Sequence, residues 1–305
     1  TIMRVTQNIT TSNFISYINQ HAENLLKTQQ QIVSQKRINK SSDDPIGMGQ
    51  VLGYRTNLAV TDQYQENIKQ GMTRLEFNEL TLDLSSDLVN TARKLAENYS
   101  GSTLSAATRQ SAALQVKDLY DQVMQMANSK FNGNYTFSGH ATNTAPFSRD
   151  ADFNATYNGD EGEFRIMVSD NVEVSIVADG RKIFQDATNG GVNIFDELKN
   201  LIDGLENPDP VAGSAQIEAT AKVLQGGRDQ INSRRSEYAP VLYRLQATDE
   251  YLANLRPKVE DAMATLEQAD ITKAVVELQN LELAYETTLA TAARIIQPSL
   301  LDFLR

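Results

Sequence analysis

Cysteine is absent, so a disulfide framework, a thiolate metal site and a cysteine nucleophile are all excluded. Tryptophan is also absent, and only 7 prolines are spread over 305 residues. With Ala, Leu, Gln, Glu and Asn abundant, that usage favours long helices over a sandwich or barrel. The two histidines fall in different expected elements, His21 on a helix surface and His140 in a loop, and form no metal-ligating or catalytic group. H-E-x-x-H, G-x-x-x-x-G-K-[ST], G-x-S-x-G and EF-hand patterns are all missing. Two carboxylate pairs remain, Asp43-Asp44 and Asp160-Glu161, which read as a helix cap and a solvated turn. The expectation is a protein that is not an enzyme and needs no cofactor or metal.

Long apolar runs are lacking too. None near the start approaches the roughly 7–15 residues of a signal-peptide core, and none reaches the roughly 18–20 of a membrane span. No membrane insertion is expected, and any export would use another route. Basic residues are outnumbered, 28 against 39 acidic, giving a formal charge of −11. That balance disfavours nucleic-acid binding, which needs clustered Lys and Arg to displace counterions from phosphates. The charge is also uneven: between Asp150 and Asp209 there are 14 acidic and 4 basic residues. The flanking regions are therefore nearly neutral, which permits dense packing against further copies.

Helical periodicity dominates the rest. Residues 14 to 35 carry a stripe at alternating steps of four and three: Phe14, Ile18, His21, Leu25, Thr28, Ile32 and Gln35. Three of those seven positions are polar, so the helix is marginal alone and must draw stability from partners. Ser41-Ser42-Asp43-Asp44-Pro45 marks a helix start, with Asp44 placed to accept the first free amides and Pro45 tolerated at the first position. A long helix is expected to follow to about Tyr99, with Val51, Leu58, Ile68, Met72, Leu75, Leu82, Val89 and Leu95 in its stripe. Ser105 caps a third helix to about Lys130, with Leu114, Leu119, Val123 and Ala127 facing inward.

From Gly133 to Phe184 the apolar residues alternate instead, as in Phe164-Ile166-Val168 and Val172-Val174-Ile176, with turn residues between the runs. A short helix through Ile194, Leu198, Leu201, Ile202 and Leu205 precedes the breaker Asn207-Pro208-Asp209-Pro210. Helix then resumes, with a kink or break expected at Pro240 and Pro257. A last stripe runs through Ile271, Val275, Leu278, Glu282, Tyr285, Leu289, Ala292 and Ile296, and Pro298 precedes Leu300 and Leu301.

The fold class so predicted is mainly α with a small β-rich insert, the two ends forming a long helical or coiled-coil bundle. Its expected parts are an N-terminal arm (1–42), a long-helix core (43–132), an outward β-rich domain with a short helix (133–210), the second half of the core (211–265) and a C-terminal arm (266–305).

Two stretches at opposite ends resemble a known family. Lys36-Arg37-Ile38-Asn39-Lys40-Ser41-Ser42-Asp43-Asp44-Pro45-Ile46-Gly47 looks like the signature of the bacterial flagellin N-terminal region. Leu266-Glu267-Gln268-Ala269-Asp270-Ile271-Thr272-Lys273-Ala274, with the coda Ser299 to Leu304, is similar to the matching C-terminal region. Within the family, Gly133-Asn134-Tyr135-Thr136-Phe137-Ser138-Gly139-His140 and Thr144-Ala145-Pro146-Phe147 look like the members placed between hook and filament, while filament-forming flagellins share part of that loop. The resemblance implies a secreted structural subunit of the extracellular bacterial flagellum, threaded unfolded through a type III channel and assembled by pairing of its terminal helices. A filament-forming flagellin is the alternative.

The same resemblance implies a set of partners. They are further copies in a ring or tube, the first hook-associated protein on the hook side, flagellin on the filament side, and an export chaperone at the C-terminal arm. The signature and cap residues expected to matter are Arg37, Ile38, Asn39, Ser42, Asp43, Asp44, Pro45, Ala269 and Asp270. Subunit packing and chaperone binding are expected along Phe14, Ile18, Leu25, Ile32, Ile271, Val275, Leu278, Tyr285, Leu289, Ile296, Leu300 and Leu301.

Overall fold

Helix α2 (Pro45–Tyr99) begins where the backbone amide of Gly47 donates to Asp44 Oδ1 at 2.8 Å. Its buried row steps by three and four through Ile68, Gly71, Leu75, Asn78, Leu82, Ser85, Val89, Ala92 and Ala96. Large apolar positions alternate there with small or polar ones, so neighbouring elements approach the helix closely between its anchors. The computed structural model describes residues 2–176, 179–186 and 190–301, with backbone alone for 2–8, 10 and 295–301.

Within those bounds α1 (Ile2–Ser34) precedes α2, and α3 (Ala106–Ala127) follows it. Six short strands come next: β1 (Lys130–Phe131), β2 (Asn134–Tyr135), β3 (Phe147–Arg149), β4 (Ala155–Tyr157), β5 (Arg165–Ser169) and β6 (Val172–Ser175). The chain returns to helix with α4 (Gly180–Phe184), α5 (Ile194–Glu206), α6 (Pro210–Ser236), α7 (Tyr238–Glu267) and α8 (Ile271–Leu301). The molecule is mainly α with a small amount of β. Its contacts divide it into two compact units, residues 1–60 with 254–305, and residues 61–253.

In the second unit the β residues form three separate antiparallel ribbons, β1-β2, β3-β4 and β5-β6. The alternation at Ile166 and Val168 against Val172 and Val174 builds the last of these, and Asn171 turns it with a φ of 55°. An aromatic cluster holds the ribbons to the helices. Phe147 sits within it, with ring centroids 5.1 Å from Tyr157, 5.2 Å from Phe195 and 5.7 Å from Phe184. Helix α5 packs on both α3 and α6. Glycine matters at that junction: a Cβ on Gly213 would lie 2.5 Å from the Gly204 carbonyl, so only a bare backbone lets α6 approach α5. Asp209 caps α6, its carboxylate accepting the Val211 amide at 2.9 Å, with Pro210 at the first position.

Two expectations are corrected here. Leu114 does not face inward. It is 60% exposed, because the buried face of α3 runs through Ala112, Ala113, Val116, Tyr120 and Val123, and Leu114 lies about 200° around the helix from Val116. The prolines also behave unequally. Helix breaks at Glu237, placing Pro240 in the first turn of α7, where its missing donor is harmless. Pro257 lies inside α7 without ending it. One proline removes a single ladder bond, and the remaining turns of that 30-residue helix carry it through.

Candidate functional site: the clasp between the chain ends

The signature residues belong to the first unit, where two short links meet. Gln35 ends α1 in the left-handed region at φ 59°, turning the chain out of helix. The Arg37 amide then donates to the Glu267 carbonyl at 2.7 Å, and the Ala269 amide donates to the Gln35 carbonyl at 3.0 Å. Backbone bonds thus tie the start of one signature to the start of the other.

Side chains close the same junction. The Arg37 guanidinium donates to the Leu266 carbonyl at 3.0 Å and to Asp44 Oδ2 at 3.3 Å, joining α7 to the cap of α2. Glu267 is buried, and its carboxylate takes both Lys36 Nζ at 2.7 Å and Arg55 at 2.5 Å. Asp43 accepts the amides of Asn39 at 3.1 Å and Lys40 at 3.0 Å and pairs with Lys27 at 3.2 Å. Asn39 Nδ2 donates to the Lys36 carbonyl at 2.8 Å. Ile38 is 2% exposed, and a Cβ on Gly47 would collide with it at 2.7 Å, so the glycine two residues after Pro45 makes its room. Asp270 Oδ1 accepts the Lys273 amide at 3.0 Å and caps α8, while Ser42 lies exposed in the turn.

These contacts set the carboxyls below their ordinary values. Burial pushes Glu267 upward, but Lys36 and Arg55 outweigh it and leave the group lowered. At Asp43 burial likewise works upward and is outweighed by the Lys40 and Asn39 amides and by Lys27. The Gly47 amide is the largest influence lowering Asp44, with Arg37 adding to it. Depressed folded-state values mean that the stabilisation is present above the unfolded values of 3.8 and 4.5 and is lost as pH falls through the folded ones. The cysteine-free chain permits spin labels at the exposed positions Gln30 and Gln279. Their distance distribution is expected to stay narrow at neutral pH and to broaden below about pH 4. A distribution unchanged to pH 2 would mean that these carboxylates do not hold the ends together.

Beyond the clasp α1 and α8 run antiparallel and pack on each other. Phe14, Ile18, His21, Leu25, Thr28 and Ile32 face inward on α1. On α8 the inward row is Ala274, Leu278, Leu281, Tyr285, Thr288 and Ala292. It keeps Leu278, Tyr285 and Ala292 of the sequence-derived stripe but replaces Val275, Glu282 and Leu289 with residues one position earlier. The small side chains of Ala274 and Ala292 allow close approach, and Leu281 displaces charged Glu282. Ile271, Val275 and Leu289 therefore stay exposed, and the side chains of Ile296, Leu300 and Leu301 lie outside the described residues. Lys27 and Arg55 are contact residues that sequence reasoning missed: Lys27 reaches Asp43 only because the turn after α1 folds back, and Arg55 meets Glu267 from more than 200 residues away.

A second apolar face accompanies the paired one. On α1 it comprises Ile15, Leu26 and Val33, which lie within about 20° of one another around the helix, and Val33 is 86% exposed. On α8 Val276 and Leu283 are similarly open. Among the described residues no helix is long and apolar enough to cross a membrane, and no group of acidic or histidine side chains is arranged to hold a metal ion.

The paired terminal helices thus start from one clasp in which the two signatures meet. Residues 5–142 match the bacterial flagellin N-terminal helical region. Flagellar hook-associated protein 3 of Escherichia coli K12 is 27% identical over 261 residues, covering 80% of this chain and 81% of that protein. The same-named protein of Salmonella typhimurium LT2 is 26% identical over 307 residues, covering 93% and 96%. The solved structure of a putative flagellar hook-associated protein from Vibrio parahaemolyticus shares the fold with a TM-score of 0.68 at 21% identity, over 74% of this chain and 100% of that one. The chain is similar along most of its length to hook-associated protein 3, and over residues 5–142 to the flagellin N-terminal helical region.

Proposed function

We propose that this chain is a structural subunit of the bacterial flagellum that joins hook to filament, packing with copies of itself through its terminal arms. The observation that carries this reading is the double-faced arm. One face of α1 meets α8 within the chain, and the other, through Ile15, Leu26 and Val33, remains exposed to solvent. At about 25 cal/mol per Å² of apolar surface, such a stripe is worth covering in an assembly, and a lone monomer cannot cover it. The signature residues Arg37, Ile38, Asn39, Asp43, Asp44, Ala269 and Asp270 serve to hold both arms at one point, so that they enter the assembly together.

The finer partners are part of the same proposal. They are the first hook-associated protein on one side, flagellin on the other, and before export a chaperone that covers the C-terminal stripe from Ile271 to Ile296. Secretion unfolded suits a chain without cysteine, whose arms gain stability mainly by packing.

Loss of the gene in the source bacterium is expected to leave hooks without filaments and flagellin released into the medium, with attachment restored by the intact chain. Val33→Asp should leave the exported protein folded, since an exposed position changes stability by under about 0.5 kcal/mol, yet fail to restore attached filaments. Full restoration by Val33→Asp would remove the exposed face from the assembly, and filaments attached normally in the deletion strain would overturn the function itself.

A further inference from the structure

The second unit contains a cation with no visible counterpart. Arg74, on α2, is 9% exposed, and its Nε has no hydrogen-bond acceptor. Its guanidinium lies 4.5 Å from the centroid of the Phe164 ring. Among the described residues no carboxylate pairs with it, and burial alone pushes its ionisation downward. Arginine stays charged when buried, so an unpaired guanidinium is a standing cost that a bound anion would relieve.

Arg74 lines a pocket of about 630 Å³ between α2, the β1-β2 turn and the β5-β6 ribbon. The wall is set by Gly71, where a Cβ would lie 2.4 Å from Ile166 Cδ1, so the ribbon seats directly against the helix one turn before Arg74. Arg165 is paired with Glu163 at 3.1 Å and Glu173 at 4.0 Å, while Lys69 beside it adds positive charge to the rim. The acid that shares it, Glu66, already accepts a hydrogen bond from Gln70 at 2.9 Å. Phe164 and Met167 make part of the lip apolar and are 38% and 44% exposed. A cationic floor under an apolar lip suits a carboxylate carried on a methylene stem better than a hydrated inorganic anion.

We propose that this pocket receives an acidic side chain from residues 150–209 of a second copy of this chain. The proposal rests on the reading of the protein as a self-packing subunit. Charge complementarity selects the segment: 14 of its residues are acidic and 4 basic, while the rest of the chain is close to neutral. In an assembly each copy would offer one cationic pocket and one acidic surface, a head-to-tail contact that repeats around a ring.

The test places p-benzoylphenylalanine at Met167, in flagella from deletion cells complemented with the full chain. Irradiation is expected to join that position to a peptide from residues 150–209 of another copy. An adduct to a different protein, or none, overturns the proposal. Arg74→Met should abolish the adduct and leave the Tm of the purified monomer unchanged or higher, because an uncompensated charge is removed. If Arg74 serves only to hold Phe164, the same variant lowers Tm and keeps the adduct, which also overturns it. Millimolar phosphate or sulfate raising the monomer Tm of the parent but not of Arg74→Met would identify a small anion as the occupant instead. Failure of the unlabelled parent chain to restore attached filaments would instead be a failure of the functional reading.

Discussion

Glu267→Ala is expected to unfasten the two chain ends while residues 61–253 stay folded. The wild-type carboxylate is buried and serves Lys36 and Arg55 together. Removing a buried hydrogen-bonding partner costs roughly 1–3 kcal/mol, and the lower half of that range applies because both cations are about half exposed and regain water. Since about 1.4 kcal/mol is a factor of ten, exchange of the Arg37 and Ala269 amides, which hold the backbone bridge, should accelerate by about tenfold. Glu267→Gln keeps the shape and one acceptor and should fall between. Unchanged exchange in Glu267→Ala would show that the backbone bridge stands without the charges. In cells the variant should be exported and should assemble poorly, because arms held apart enter a packed layer at greater entropic cost.

Phe147→Ala should have the largest effect on stability, and in the other unit. The ring is 2% exposed among Tyr157, Phe184 and Phe195. Its backbone is held on both sides by one amide side chain: Asn128 Nδ2 donates to the Phe147 carbonyl and Asn128 Oδ1 accepts its N–H, both at 2.9 Å. The surroundings therefore cannot readily collapse into the space left, and the cost should be about 3–5 kcal/mol. Calorimetry should record a much lower Tm for the 61–253 unit, with the exchange of Arg37 and Ala269 unaltered. Leu114→Ala, on the exposed side of α3, is the control and should change stability by under about 0.5 kcal/mol. Equal losses from both variants would contradict the packing described.

Much of this was legible in the sequence wherever the chemistry is local. Asp44-Pro45 and Asp209-Pro210 each combine an acceptor with a residue lacking a donor, and both open helices. The alternation in 164–176 gives its ribbon directly. On α1 the regular four-and-three row through Phe14, Ile18, Leu25 and Ile32 is the one that faces α8. What escaped has non-local causes. Helix α8 offers two adjacent rows, and the choice between Val275 and Ala274, or Glu282 and Leu281, is made by how closely α1 approaches. Leu114 yields its place to two alanines for the same reason. The joining of Glu267 to Arg55, 212 residues apart, and the lack of an acceptor for Arg74 Nε among the described residues depend on what the fold brings near, or fails to bring near.

The signatures at the two ends turn out to be halves of one junction. Arg37 reaches Leu266 and Asp44, Glu267 reaches Lys36, and the Ala269 amide closes on Gln35. Residues far apart in sequence thereby meet at one junction, from which two helices run with exposed apolar residues on their outer faces.

Electron microscopy of flagella carrying a gold-labelled copy of this chain tests the junction assignment most directly. The label should appear as a single narrow band where hook meets filament. Label distributed along the filament would identify a filament-forming flagellin instead, and label confined to the cell body would contradict a flagellar role altogether.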